Sequence, residues 1–241
     1  MTREYLVMIE NQQHAVIVSD EAEALLAAKA AGKASVGLWK RGCGQELSMT
    51  KYLVESWDAL EPEYLEQVVR RHLKLPWTIA ETRRLVIREF QAGDERDMLP
   101  EREEEEDHQA FRNKEFLKEY IECQYGFYGY GIWAVTEKGS RKIVGKAGII
   151  NLAGKWKSAG NLDALELGYH IFPSYRRKGY GLEACQGILK WYREHLDCSL
   201  YAKIDASNKA SIKLAEKLGF TVKDQKYNES GQWQLLYEWN C

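Results

Sequence analysis

Apolar residues at Leu182, Cys185, Leu189, Tyr192 and Leu196 recur at alternating intervals of three and four, which predicts a helix with one apolar face. Immediately before it, Gly168 to Phe172 reads as the end of a β-run that starts at Ala164 and stops at Pro173 and Ser174. After it, Leu200 to Ile204 reads as a strand. A second helix follows, with Leu214 and Leu218 on its buried face, Asp205, Ser207 or Asn208 as its cap, and Gly219 at its end. A closing hairpin, Thr221 to Lys226 and Gln232 to Trp239, turns near Gly231. Upstream, Arg84 to Glu89 forms a first strand, Phe116, Leu117, Tyr120 and Ile121 mark a helix, and Ile132 to Val135 and Lys142 to Leu152 are β-runs. The last of these and the run from Ala164 are joined by a polar loop through Gly154 and Gly160, as in a meander. Between helix and strand, Tyr125 to Gly131 alternates glycine with aromatics, and reads either as a substrate-facing loop or as a packed turn feeding the strand.

The first 75 residues have a rhythm of their own. A β-rich run at Ala15 to Ser19 leads into an alanine-rich helix from Asp20 to Gly32, with Asp20 as its expected N-cap. A second apolar run at Ala34 to Leu38, a glycine loop through Gly42 and Gly44, Tyr52 to Val54 and a helix from Pro62 to Leu75 complete a small α/β unit. Proline biases the residue before it away from helix, so Leu75-Pro76 is the expected boundary between residues 1–75 and a larger domain over 76–241.

Composition narrows the function classes. At 241 residues, 45% hydrophobic and 12% aromatic, the chain can bury a sizeable core. A net charge of −2 offers no bulk attraction to nucleic acid or to a membrane surface, so neither is expected as a partner and any anion binding must be local. No apolar run approaches the roughly 20 residues that span a bilayer, and the N-terminus lacks a secretory pattern; a cytoplasmic protein is expected. Five scattered cysteines without a C-x-x-C pair suit reduced thiols and no metal site. The acidic run Glu103 to Asp107 reads first as a solvated helix face or helix start, and otherwise as a patch attracting a cationic substrate.

The local anion site is the segment Arg176-Arg177-Lys178-Gly179-Tyr180-Gly181 between strand and helix. Two glycines permit close backbone approach, the first N–H groups of the helix point outward, and three cations stand beside them, an arrangement suited to a phosphate or pyrophosphate. The apparent P-loop at Gly139 to Ala147 fails, because five residues separate its glycines and Ala147 stands where Ser or Thr is needed.

R-x-x-G-x-G at Arg176, Gly179 and Gly181, then N-x-x-S at Asn208 and Ser211, then K-L-G-F at Lys217 to Phe220, resembles the GNAT N-acetyltransferase superfamily over about residues 80–240. Glu81 to Leu85 (ETRRL) and the E-x-G-Y form at Glu166 to Tyr169 resemble its ribosomal-protein acetyltransferase branch. The resemblance implies an α/β (α+β) fold with a mixed, splayed, twisted sheet flanked by helices, and acetyl-CoA as cosubstrate in the opening. It implies that backbone N–H groups of Arg177, Lys178, Gly179, Tyr180, Gly181 and Leu182 ring the pyrophosphate, that the Arg176 and Lys178 side chains add diffuse attraction or meet the ribose phosphate, that Ile171 and Phe172 pair with the pantetheine arm, and that Asn208 bonds it. Glu166 is the expected general base, on the central strand beside the acetyl group. Many members protonate the thiolate from a tyrosine where this chain has Ala215, which leaves Ser211 or a bound water. The acceptor implied is an amine-bearing small molecule or a protein N-terminus or lysine, and the superfamily often forms homodimers. The alternative from another class is a protein that binds acyl-CoA as a sensor or scaffold without transfer.

Residues 15–75 also distantly resemble the second half of a haloacid-dehalogenase-type domain, but no D-x-D pair exists anywhere in the chain. A docking or substrate-shaping role is therefore expected for this module, without phosphatase chemistry.

Overall fold

The computed structural model describes residues 1–42, 47–100, 110–154, 156, 164–228 and 231–240. The acidic run at 103–107, the loop glycines Gly44 and Gly160, and Cys43 and Cys241 lie outside them. The chain divides into two compact units, Met1–Trp77 with Ile121–Gly129, and Thr78–Tyr120 with Tyr130–Cys241.

The first unit is built on a four-stranded sheet in the order β1-β2-β3-β4: β1 (Thr2–Ile9), β2 (Gln12–Ser19), β3 (Ala34–Leu38) and β4 (Leu53–Val54). β1 and β2 form an antiparallel hairpin, and the remaining pairs are parallel. Helices α1 (Ala22–Ala30) and α2 (Pro62–His72) complete it, and Val16, Val18, Val36, Leu38, Leu65, Val68 and Val69 form the core. Asp20 does not cap α1. Its carboxylate is taken by Lys40 at 2.5 Å and by the Met1 amine, and Glu21 occupies the cap position with no side-chain bond to the helix backbone.

The second unit carries an eight-stranded sheet in the order β11-β12-β10-β9-β8-β7-β6-β5. Its strands are β5 (Thr78–Glu81), β6 (Leu85–Arg88), β7 (Ile132–Glu137), β8 (Ile143–Asn151), β9 (Leu165–Ile171), β10 (Leu200–Asp205), β11 (Phe220–Tyr227) and β12 (Trp233–Trp239). Every pairing is antiparallel except β9 with β10. The sheet is therefore mixed, as expected. Its helices are α4 (Tyr180–His195) and α5 (Lys209–Lys217); α3 (Lys114–Tyr128) starts in this unit and ends among the residues assigned to the first.

The predicted stripe on α4 is real: Cys185, Leu189 and Tyr192 are buried, and Trp191 meets Trp133 of β7 edge to face at 5.0 Å between ring centres. The glycine-aromatic stretch is neither of the two things its composition suggested. Tyr125 to Tyr128 is the last turn of α3, with Tyr125 wholly buried, and only Gly129, at φ 74°, breaks the helix. Burial of one large ring decides the local conformation here against the low helix propensity of Gly126.

Candidate active site

The site is organised by the parallel seam between β9 and β10. Phe172 N–H donates to the Val144 carbonyl at 3.0 Å and Leu152 N–H to the Ala164 carbonyl at 2.9 Å, both in the register that pairs Ile171 with Gly145. The even-numbered residues of β9 therefore exchange hydrogen bonds with β8, and the odd-numbered ones turn theirs toward β10. Leu165 N–H does so, reaching the Ser199 carbonyl at 3.0 Å. Registered pairing of β9 with β10 is confined to Leu165 with Leu200 and Glu166 with Tyr201. Beyond that point the strands separate, and the odd residues Tyr169 and Ile171 direct their amides into the opening. The Ile171 carbonyl accepts from Arg176 Nε at 2.7 Å, which folds this arginine back onto the strand. Phe172, by contrast, spends its N–H on β8.

Alternation also sorts the side chains. Tyr169 and Ile171 lie on the helix side, where a Cβ on Gly181 would stand 3.5 Å from the Tyr169 ring and 3.6 Å from Ile171. There Tyr169 donates its hydroxyl hydrogen to Ser211 Oγ at 2.9 Å, and burial raises the phenol above its ordinary pKa although the Ser211 bond opposes this. Glu166 and His170 lie on the opposite face. So does Lys146, the β8 partner of His170, whose Nζ sits 4.5 Å above the Phe111 ring. Phe111 in turn packs against Phe90, Phe116 and Tyr120. Glu166 is buried, and its Oε2 lies 3.5 Å from Lys203 Nζ on β10.

At the mouth of the opening the turn into α4 presents its backbone. Arg177 (φ 62°) and Gly179 (φ 82°) both adopt left-handed conformations, which costs a non-glycine residue about 1–2 kcal/mol. Gly179 occupies the N-cap of this 16-residue helix with no side-chain cap, so the N–H groups of Tyr180, Gly181 and Leu182 are left for an anion. Gly181 has Leu214 at 3.3 Å from where a Cβ would be, so a larger residue would fill the cradle.

Sequence reasoning assigned no role to the group that braces this turn. Glu183, in the first turn of α4, accepts from Thr82 Oγ1, Arg84 N and Arg84 Nε, each at 2.7 Å. Arg84 Nη1 also donates to the Lys178 carbonyl at 2.9 Å, and its guanidinium lies 4.6 Å from the centre of the Tyr180 ring. Burial pushes the Glu183 carboxyl up, but the bonds from Thr82 and Arg84 outweigh it and hold the group below its ordinary pKa. The Tyr180 hydroxyl is tied to Glu137. An open depression of about 460 Å³ beside Arg84 is lined by Arg83, Glu137, Lys138, Gly139 and Ser140. The signal for this brace was present in the ETRRL segment, recognised as a pattern but not as a contact. Asn208 is the cap of α5, its Oδ1 accepting from Ser211 N–H at 3.0 Å.

The profile of the acetyltransferase (GNAT) domain matches residues 64–221, a span that takes in the splayed seam and the uncapped glycine-flanked helix beside it. The chain belongs to the GNAT acetyltransferases. It is an acetyltransferase, and its acetyl donor is acetyl-CoA. The cradle at Gly179 to Leu182 and the open edge of β9 fit that cosubstrate.

Two curated relatives come from Bacillus subtilis (strain 168). The uncharacterized N-acetyltransferase YjdG is 29% identical over 119 residues, 49% of this chain and 67% of the relative. The uncharacterized protein YkkB is 31% identical over 93 residues, 38% of this chain and 51% of the relative, so the match spans only about half of it. Among solved structures, a Bordetella pertussis protein assigned to the GnaT-family acetyltransferases superposes with a TM-score of 0.56 at 21% identity, covering 66% of this chain and 98% of that one. A Vibrio fischeri ribosomal-protein-S5-alanine acetyltransferase gives 0.51 at 17% identity over 68% and 95% of the two chains. These likenesses establish the fold. The resemblance of residues 15–75 to a haloacid-dehalogenase-type domain finds no support in the comparisons. Among the described residues no helix is long and apolar enough to cross a membrane.

Proposed function

We propose that this enzyme moves the acetyl group of acetyl-CoA to a primary amine by direct attack, with Glu166 as the base. The observation that carries the reading is the seam: pairing of β9 with β10 ends at Glu166 and Tyr201, so the carboxylate stands where the opening begins. Arg177 to Leu182 hold the pyrophosphate with backbone N–H groups and the positive end of α4. The amides of Tyr169 and Ile171 receive the pantetheine arm as an added strand would, and they replace Phe172 in that role because its N–H is already bonded to β8. The acceptor approaches from the face of Glu166, the face that also carries His170 and Lys146.

Glu166 takes a proton from the acceptor ammonium directly or through one water, which leaves the lone pair for attack. Ser211, held against the Tyr169 hydroxyl, stands on the helix side of the opening as the proton source for the departing thiolate. Cys185 takes no part, since complete burial pushes its thiol up to about 12. All these groups belong to the second unit, and the first unit contributes docking or shaping of the acceptor.

Calorimetric titration with acetyl-CoA, followed by turnover against a panel of amines, tests this reading. Glu166→Gln should lower turnover by about 10²–10⁴-fold with CoA affinity unchanged. Gly181→Trp should abolish binding, because the indole occupies the cradle. Saturable binding that survives Gly181→Trp would move the cosubstrate off this turn, and full turnover in Glu166→Gln would remove the base.

A further inference from the structure

Lys203 is itself a primary amine at the place where the acceptor amine is expected. It lies on β10 two residues past Tyr201, the last residue registered against β9, and on the same face as Glu166. Its Nζ is 3.5 Å from Glu166 Oε2, and its side chain keeps 26% of its exposure against 10% for the carboxylate. The ammonium is therefore neither sealed in the core nor free in solvent. It is held by a carboxylate at the root of the opening. Ion pairing alone would not distinguish it: Lys33, Lys40, Lys138 and Lys223 also carry carboxylate partners, at exposures of 38–51%. What separates Lys203 from them is its position on a strand that borders the opening, beside the residue read above as the base.

We propose that Lys203 is an acetylation site of this protein, modified from acetyl-CoA bound to the same chain. The inference rests on the seat and base described under the proposed function. Glu166 accepts one proton from the Lys203 ammonium, and the Nζ lone pair forms a bond to the thioester carbonyl carbon. The carbon–sulfur bond then breaks, the sulfur keeps the electron pair, and a second proton from nitrogen ends on the thiolate. Lysine ammonium and acetyl-CoA thus give Nε-acetyllysine, CoA thiol and one proton released through Glu166, with no other reactant. The product carries no charge, so the modification removes the cation from Glu166 and leaves that carboxylate to the ammonium of an incoming acceptor.

The test incubates the full chain with acetyl-CoA bearing a deuterated acetyl group and no acceptor amine, then follows intact mass and maps the labelled peptides. The expected result is one labelled acetyl group, on Lys203, formed at least about 10²-fold more slowly in Glu166→Gln. Lys203→Arg should remove the label while CoA binding, measured by calorimetry on the same preparation, persists. Label spread over Lys33, Lys40, Lys138 and Lys223 and equal in Glu166→Gln would mark non-enzymatic transfer and overturn the proposal. An unlabelled Lys203 in protein that binds CoA saturably would overturn it while sparing the seat. Absence of CoA binding would overturn the seat, and this inference with it.

Discussion

Arg84→Ala tests whether the brace on α4, and not the glycines alone, makes the anion cradle. Arg84 gives Glu183 one of its three hydrogen bonds through the guanidinium and another through its backbone, which the substitution retains. A bond to a charged partner is worth about 1.5–3 kcal/mol, and the 34% exposure of Arg84 argues for the low end. Loss of the contact over the Tyr180 ring adds about 0.5–1 kcal/mol. The substitution should therefore cost about 2–3 kcal/mol of stability. Urea denaturation of the parent, Arg84→Ala, Glu183→Ala and the double variant should return a coupling energy of about 1.5 kcal/mol. Because Glu183 is held below its ordinary pKa in the folded state, the stability it confers is present above that ordinary value and lost as pH falls through the lowered one. Arg84→Ala should flatten that acid limb. Freed from its bond at the Lys178 carbonyl, the turn should also bind CoA about tenfold more weakly, roughly 1.4 kcal/mol. A coupling below about 0.5 kcal/mol, or a destabilised variant with undiminished CoA affinity, would refute the idea that this pair shapes the cradle.

Gly179→Ala imposes a Cβ at φ 82° and 3.3 Å from Arg84 Nη2, so it should lose about 1–2 kcal/mol of stability and weaken CoA binding; an unchanged urea midpoint would contradict the strain argument. Asp20, lowered to about 2 chiefly by Lys40, confers stability that is complete above its ordinary value near 3.8 and disappears as pH falls toward 2. Lys40→Ala should move that loss to higher pH, and a denaturation midpoint with the same pH dependence as the parent between pH 2 and 5 would show the pair to be inert.

Features encoded within one short window were legible before the fold was known. The stripe on α4, the glycine turn before it and the cap of α5 each depend on neighbours in sequence, and one of the three proposed caps, Asn208, proved to be the cap. The brace was not legible, because Arg84 and Glu183 are 99 residues apart and nothing local marks their meeting. Asp20 was misplaced for the same reason: a short polar residue at a strand-to-helix turn reads as a cap until Lys40 arrives from the end of the next strand. β1 was overlooked because Leu6 and Met8, on its exposed face, hide the alternation of Tyr5, Val7 and Ile9 toward the core.

The least local feature is the one on which the proposed chemistry turns. Nothing in the residues of β9 says that its pairing with β10 stops after Glu166; that follows from how the two strands diverge. Once it stops, the two-residue period of a strand divides the labour among three directions. Odd-numbered amides face the opening, odd-numbered side chains meet α4 and α5, and even-numbered side chains line the opposite face. Tyr169 and Glu166, an odd number of residues apart, therefore stand on opposite sides of the sheet, one beside Ser211 and one beside Lys203. In the mechanism proposed above, delivery of a proton to the thiolate and removal of a proton from the amine would thereby be kept apart by the strand itself. A slip of one residue in β9 would exchange the two faces and part Tyr169 from Ser211 and Glu166 from Lys203.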